Sequence, residues 1–221
     1  MNAEPLKQYL TRGGATLVGI GDVTEALSGE LLHLNRGIAI AVNRSLNRET
    51  VDILSGLQAQ AGEWLRLKGY RSLLIPPDSD RRKDKFITRL YKLFCHKTAA
   101  TCSGLGWVGK NGLVINRLYG SKLSWATVLT NAPFEPDKPV RESECGECDL
   151  CVTHCPSGAI GGDHWSLSEP KKKIVAYEKC SALKEERQSL KDKPNCGFCV
   201  TVCPYSRKNG GQTNNWQGDK K

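Results

Sequence analysis

Four of the ten cysteines stand as C-x-x-C-x-x-C-x-x-x-C-P, at Cys145, Cys148, Cys151 and Cys155 with Pro156 behind them. This spacing puts three thiolates on one tight loop, at three corners of an iron–sulfur cube, and sends the fourth away on the next turn to a different cube. Downstream, Cys196, Cys199, Cys203 and Pro204 repeat the end of the motif with the same internal spacing. Cys180, in YEKCSAL, supplies the missing leading thiolate if the intervening segment loops out. With the crossed fourth ligand usual for such motifs, Cys145, Cys148, Cys151 and Cys203 hold one [4Fe–4S] cluster, and Cys180, Cys196, Cys199 and Cys155 hold the other. The expected chemistry is single-electron transfer. Structural zinc also uses paired C-x-x-C units, but it does not call for a third cysteine two residues on or for a repeated C-x-x-x-C-P ending.

The remaining candidates carry less chemistry. Cys95 and Cys102 are seven residues apart in a stretch that reads as helix, and we take them as buried apolar fillers. His154, next to Cys155, is placed to donate to a cluster sulfur or simply to face water, and His33 and His164 suggest surface or cap roles. The N-terminal MNAEPLKQYLTRGG has no apolar core of signal-peptide length, so a reducing cytoplasm and free thiols are expected. No apolar run approaches the ~20 residues that span a bilayer, and no membrane role is expected.

The 221 residues carry a formal charge of +9, which eight thiolates and two cluster cores of about +2 each bring to about +5. Such a balance favours an acidic partner, a nucleotide-like cofactor tail or RNA. Lysine and arginine are nevertheless scattered, with no concentrated stripe for nucleic acid.

The elements that must position the cysteines come before them. Over the first 135 residues short apolar runs alternate with helical patterns, which predicts an α/β or α+β layer structure. Strands are predicted from Ala15 in ATLVGIG, over Gly37–Val42, in RSLLIPP up to Pro76, over Gly112–Asn116 and over Leu123–Leu129. Helices are predicted over Val23–Leu34, Glu49–Leu67 and Phe86–Cys102, with Gly69 and Gly104 as stops. Asp78–Lys85 is a charged loop. Gly104, Gly106 and Gly109 fall in the order G-x-G-x-x-G, but after a helix and before a strand, the wrong context for a dinucleotide site. The stretch from Glu144 to Arg207 is poor in large apolar residues and is expected to fold only with its metal.

The segments SGLGWVGKNGLVIN from Ser103 and YGSKLSWATVLTNAP, with the paired cysteine motifs and CPSGAI at Cys155, resemble the cobalamin-dependent epoxyqueuosine reductases and their shorter relatives, kin to the reductive dehalogenase core. The resemblance covers Gly14 to Lys208. It implies an α+β chain: a nitroreductase-like α/β cobalamin-binding domain over 1–138, a two-cluster ferredoxin-like domain over 139–208 and a flexible tail over 209–221. In the family, clusters pass single electrons to base-off cobalamin. Gly104, Gly106, Trp107, Gly109, Lys110 and Asn111 match the positions that would line the corrin, with Lys110 towards a propionamide or the tail phosphate and Trp107 over an apolar edge. The family's aspartate proton donor has no counterpart in RLYKLFCHKTAA, where His96 and Lys97 stand in its neighbourhood and His96 becomes the catalytic candidate. Where the tRNA-modifying members carry a helical-repeat domain, NGGQTNNWQGDKK here is expected to be a flexible tail. The implied partners are a reduced ferredoxin or flavodoxin, a small or nucleoside-like substrate, and tRNA. A two-cluster electron carrier or corrinoid-activating protein is the rival reading.

Overall fold

The segment Arg36–Val42 alternates Ile38, Ile40 and Val42 with Gly37, Ala39 and Ala41. Successive side chains of a strand point to opposite faces, so one face is built of branched aliphatics and the other of residues scarcely larger than backbone. In the computed structural model, which describes residues 1–77, 94–170, 172–189 and 196–207, this segment is β2 of a four-stranded sheet. The order is β1 (Leu17–Asp22), β2, β6 (Ser124–Thr130) and β3 (Ser72–Ile75), and every pairing is antiparallel. Ile38 sits opposite both Ile20 and Val128.

The aliphatic face forms the larger core. Ile20, Ile38, Ile40, Val42 and Val128 pack with Leu6 and Leu10 of α1 (Glu4–Arg12) and with Leu54, Leu57, Ala61 and Leu65 of α2 (Arg48–Leu67). α2 forms where apolar residues recur every three or four positions. Its N-terminus is capped by Asn47, whose Oδ1 accepts the Thr50 amide at 2.8 Å, and the chain leaves it through Gly69 at φ +80°. The small face receives α3 (His96–Cys102). A Cβ on Gly21 would lie 2.7 Å from Cys102 Cβ and one on Gly19 2.8 Å from Ser103 Cβ, so α3 rests directly on strand backbone. The free edge of β1 is covered by Asp137: its amide donates to the Ile20 carbonyl at 2.8 Å, and its Oδ2 accepts from the Ile20 amide at 2.8 Å.

Four expectations change. The helix predicted over Val23–Leu34 is two 3-10 turns, Thr24–Ala26 and Gly29–Leu31; Ser28 and Gly29 interrupt it, and glycine costs about 1 kcal/mol inside a helix. Cys95 is the extended N-cap of α3, so it does not share a helix face with Cys102. The strand over Gly112–Asn116 shortens to β5 (Val114–Ile115), beside β4 (Trp107–Val108), because Asn116 turns back to pair with Gly120. α1 was not foreseen; its burial rests on the single i, i+4 pair Leu6 and Leu10. The loop over Asp78–Lys85, the helix start at Phe86 and the tail over 209–221 lie outside the described residues.

The chain divides into two compact units, Met1–Trp107 with Lys122–Arg141, and Val108–Ser121 with Glu142–Lys221. The division is not the linear one drawn at 138. The segment 108–121 belongs with the cysteine-bearing unit, because Val108 packs there with Ala159, Ile160, Trp165, Ile174 and Val175. That second core is small. Around it run α4 (Leu150–Thr153), α5 (Tyr177–Ser189), α6 (Phe198–Thr201) and α7 (Pro204–Arg207).

Candidate metal centres

Each cysteine motif winds one thiolate loop into one short helix. Gly146, at φ +52°, turns the first loop, the Cys148 amide donates to the Cys145 carbonyl at 3.2 Å, and Cys151 sits on α4. In the second motif Cys196 precedes Gly197, the N-cap of α6, and Cys199 lies on that helix. Cys180 is in the first turn of α5. All ten cysteines are free thiols, and Cys151, Cys155, Cys180 and Cys199 pack against the second core.

Electrostatics sorts them. Burial pushes the Cys199 thiol up to about 11, and Cys196, Cys180 and Cys155 add to the shift. Burial likewise pushes Cys151 up to about 11, reinforced by Cys145, Cys199, Cys203 and Cys148. Like charges crowded in a poorly solvated place disfavour ionisation, and iron relieves that cost by binding the thiolates. The thiols that act on Cys199 come from both motifs, Cys155 from the first and Cys196 from the second, with Cys180 from α5. The set around Cys151 includes Cys203 from the second motif, and also Cys199. Among the described residues no three His, Cys, Asp or Glu side chains converge as a single metal ion requires; thiolates around a cube stand apart by the width of the cluster. Cys155 differs from the others: burial raises its pKa, but the Ser157 hydroxyl and the Ala159 amide, 3.3 Å from Sγ, outweigh it and the thiol is lowered. His154 is exposed and its Nδ1 donates to the Leu150 carbonyl at 2.9 Å, turned to its own helix.

The glycine segment is held by chain packing. Gly104 has φ +72°, and a Cβ there would lie 2.4 Å from the Lys138 carbonyl oxygen; one on Gly109 would lie 2.3 Å from Ile115 Cδ1. Gly106 and Trp107 are buried. Lys110 Nζ donates to Asp149 Oδ1 at 2.6 Å, and Asn111 Nδ2 donates to the Cys199 carbonyl at 3.1 Å. Both side chains are therefore committed within the cysteine-bearing unit. Nearby, the Ser121 amide donates to Ser206 Oγ at 3.1 Å, and Gly120 is so close to Ser206 that a Cβ would lie 2.5 Å from its Cα.

His96 is 8% exposed and braces the first unit. Its Nε2 donates to the Pro76 carbonyl at 3.0 Å, which leaves Nδ1 to accept from Thr127 Oγ1 at 2.8 Å. On the other side of Thr127, Gln58 Nε2 donates to the Ile75 and Thr127 carbonyls, each at 2.7 Å. A proton donor needs a nitrogen directed at a reactant, and these two are directed at structure. Asp149, Ser206 and Gln58 were not singled out from sequence. Only Asp149 carried a signal, an acidic residue inside a cysteine motif, directly before α4.

Residues 144–206 match the family model of a 4Fe-4S double cluster binding domain. The chain is similar to epoxyqueuosine reductases: 37% identical over 108 residues to that of Listeria monocytogenes serovar 1/2a and 35% over 107 residues to that of Escherichia coli K12, in each case 48% of this chain and 28% of the relative. The match thus spans little more than a quarter of those proteins. Among solved structures, epoxyqueuosine reductase from Streptococcus thermophilus superposes with TM-score 0.67 at 18% identity, over 97% of this chain and 68% of that one. The epoxyqueuosine reductase solved with an epoxyqueuosine-modified tRNA-Tyr stem loop gives 0.65 at 20%, over 93% and 65%. A catabolic reductive dehalogenase in complex with 3-bromo-4-hydroxybenzoic acid gives 0.65 at 19%, over 93% and 32%. These likenesses establish the mixed α/β fold with its C-terminal double-cluster region.

Proposed function

We propose that this chain is an iron–sulfur oxidoreductase of the epoxyqueuosine reductase kind, in which two [4Fe–4S] clusters pass single electrons to a bound cobalamin. The match of residues 144–206 to a 4Fe-4S double cluster binding domain carries this reading, and the electrostatic influence of Cys196, Cys180 and Cys155 on the Cys199 thiol supports it. The proposed ligands are Cys145, Cys148, Cys151 and Cys203 for the first cluster, and Cys180, Cys196, Cys199 and Cys155 for the second. The thiol-only donor set and the iron-favouring crowding fit such clusters. Cobalamin, when bound, supplies a strongly reducing cobalt centre for reductive chemistry. The backbone of Gly104, Gly106 and Gly109 with Trp107 is the proposed corrin lining, while the side chains of Lys110 and Asn111 are bonded within the cysteine-bearing unit. No catalytic role is assigned to His96.

Among the described residues no helix is long and apolar enough to cross a membrane, and free thiols favour a cytoplasmic setting. The electron donor is proposed to be a reduced ferredoxin or flavodoxin. The proposed substrate is nucleoside-like, with a modified tRNA stem loop as the form to test first, since one superposed relative was solved with it.

Anaerobic reconstitution with iron and sulfide, then titration with cobalamin followed by visible absorption and electron paramagnetic resonance, tests the proposal. About eight irons per chain and a stoichiometric base-off cob(II)alamin signal are expected. Two clusters without that signal would leave an electron carrier or corrinoid-activating protein.

A further inference from the structure

Lys110 and Asn111 are neighbours in sequence, yet they attach to different cysteine loops. Asn111 donates to the Cys199 carbonyl in the second motif, while Lys110 donates to Asp149, which stands between Cys148 and Cys151 in the first. The Lys110 side chain is 5% exposed and that of Asp149 is 55% exposed. The ion pair holds the buried ammonium at the first motif. The bond to Asp149 raises its pKa most, and the Cys145 thiolate and Glu147 carboxylate raise it further. The cation is therefore anchored in the first motif, on the residue between Cys148 and Cys151. Around the second set the corresponding charge is Lys184, which is exposed on α5 and screened by water.

Resting on the two-cluster reading, we propose that Lys110 is a fixed buried cation that raises the reduction potential of the cluster held by Cys145, Cys148, Cys151 and Cys203, selectively over its neighbour. Reduction adds one electron from the donor to a cluster already negative by its four thiolates, and no bond is made or broken. A positive charge held nearby in a poorly solvated place stabilises the reduced form more than the oxidised one. Lys110 is thus a positioning charge for electron delivery. This is a role apart from any contact with a nucleotide tail.

The full-length chain, reconstituted anaerobically, is compared with Lys110→Gln, Lys110→Arg and Asp149→Asn by iron and sulfide counting and by redox titration monitored with electron paramagnetic resonance. Lys110→Gln is expected to lower one of the two midpoint potentials by a tenfold change in its reduction equilibrium, 59 mV for a one-electron couple, and to leave the other in place. Lys110→Arg is expected to keep both near their original values, and Asp149→Asn to raise the couple that Lys110→Gln lowers. In fully loaded protein, two unmoved potentials, or two that fall together, overturn the role of Lys110 while leaving the clusters intact. If Lys110→Gln does not take up iron, Asp149→Asn decides: a rise in one couple supports the proposal and no rise overturns it. Fewer than about eight irons in the unsubstituted chain removes the two-cluster reading and this inference with it.

Discussion

At the scale of single residues, cysteines in this chain do opposite work according to what surrounds them. Cys199, whose thiol is pushed up by burial and by three other thiols, is a proposed iron ligand. Cys199→Ala is expected to cost one cluster, about four irons per chain, and to loosen the second unit, and retention of about eight irons would contradict the ligand assignment. Cys102 is instead sealed against the sheet, where burial, helped by the negative charge of Asp22, pushes its thiol up to about 11. Because that value lies above the ordinary 9.0, the unfolded chain ionises first as pH rises. The stabilisation is full below pH 9 and is lost between about pH 9 and pH 11. Cys102→Ala should flatten this loss, on the order of 2 kcal/mol, in denaturant titrations of the two proteins at matched pH.

At the scale of elements, the first unit depends on how closely α3 approaches the sheet. Gly21→Val puts a branched side chain where a Cβ alone would already lie 2.8 Å from the Cys102 backbone carbon, and overpacking of this kind costs about 3 kcal/mol. A melting temperature within a degree or two of the original protein would show that α3 moves away freely. Gln58 ties α2 to the end of β3 and the middle of β6 through two carbonyls. Gln58→Leu keeps the volume but loses both bonds, and about 1–3 kcal/mol is expected in chemical denaturation. These elements were unequally readable from sequence. The 3.6-residue period of α2 and the stop at Gly69 stand in the chain itself, whereas a stretch with helical spacing such as Val23–Leu34 still breaks into 3-10 turns when Ser28 and Gly29 interrupt it. The strand residues Gly19, Gly21 and Gly37 read locally as weak formers, and only what packs on them, the end of α3 on the first two and Val23 on Gly37, explains their size.

At the scale of the whole molecule, the two units differ in what holds them. The first has an extended aliphatic core; the second has a core cluster of six buried apolar residues with its cysteines packed against it. Iron chelation is therefore expected to abolish protection from hydrogen exchange in the second unit, including the segment 108–121, while the first keeps its own. If tRNA is the substrate, binding of a stem loop should weaken steeply with added salt. The double-cluster chemistry was legible in the sequence because cysteine spacing within a motif is a local property: three thiolates two residues apart can reach one cube whatever the rest of the chain does. The alternating β2 and the amphipathic α2 were legible for the same reason, since a repeat period needs no partner to be seen. What only the tertiary structure decided concerns groups that meet across long separations. Sequence left Lys110 between solvent and cofactor, and the fold buries it on Asp149, thirty-nine residues away; His96 looked like a proton donor until Pro76 and Thr127 took both of its nitrogens. A side chain's charge and hydrogen-bonding capacity are written in its type, but the partner that uses them is fixed only when the folded backbone brings distant residues together and excludes water from between them.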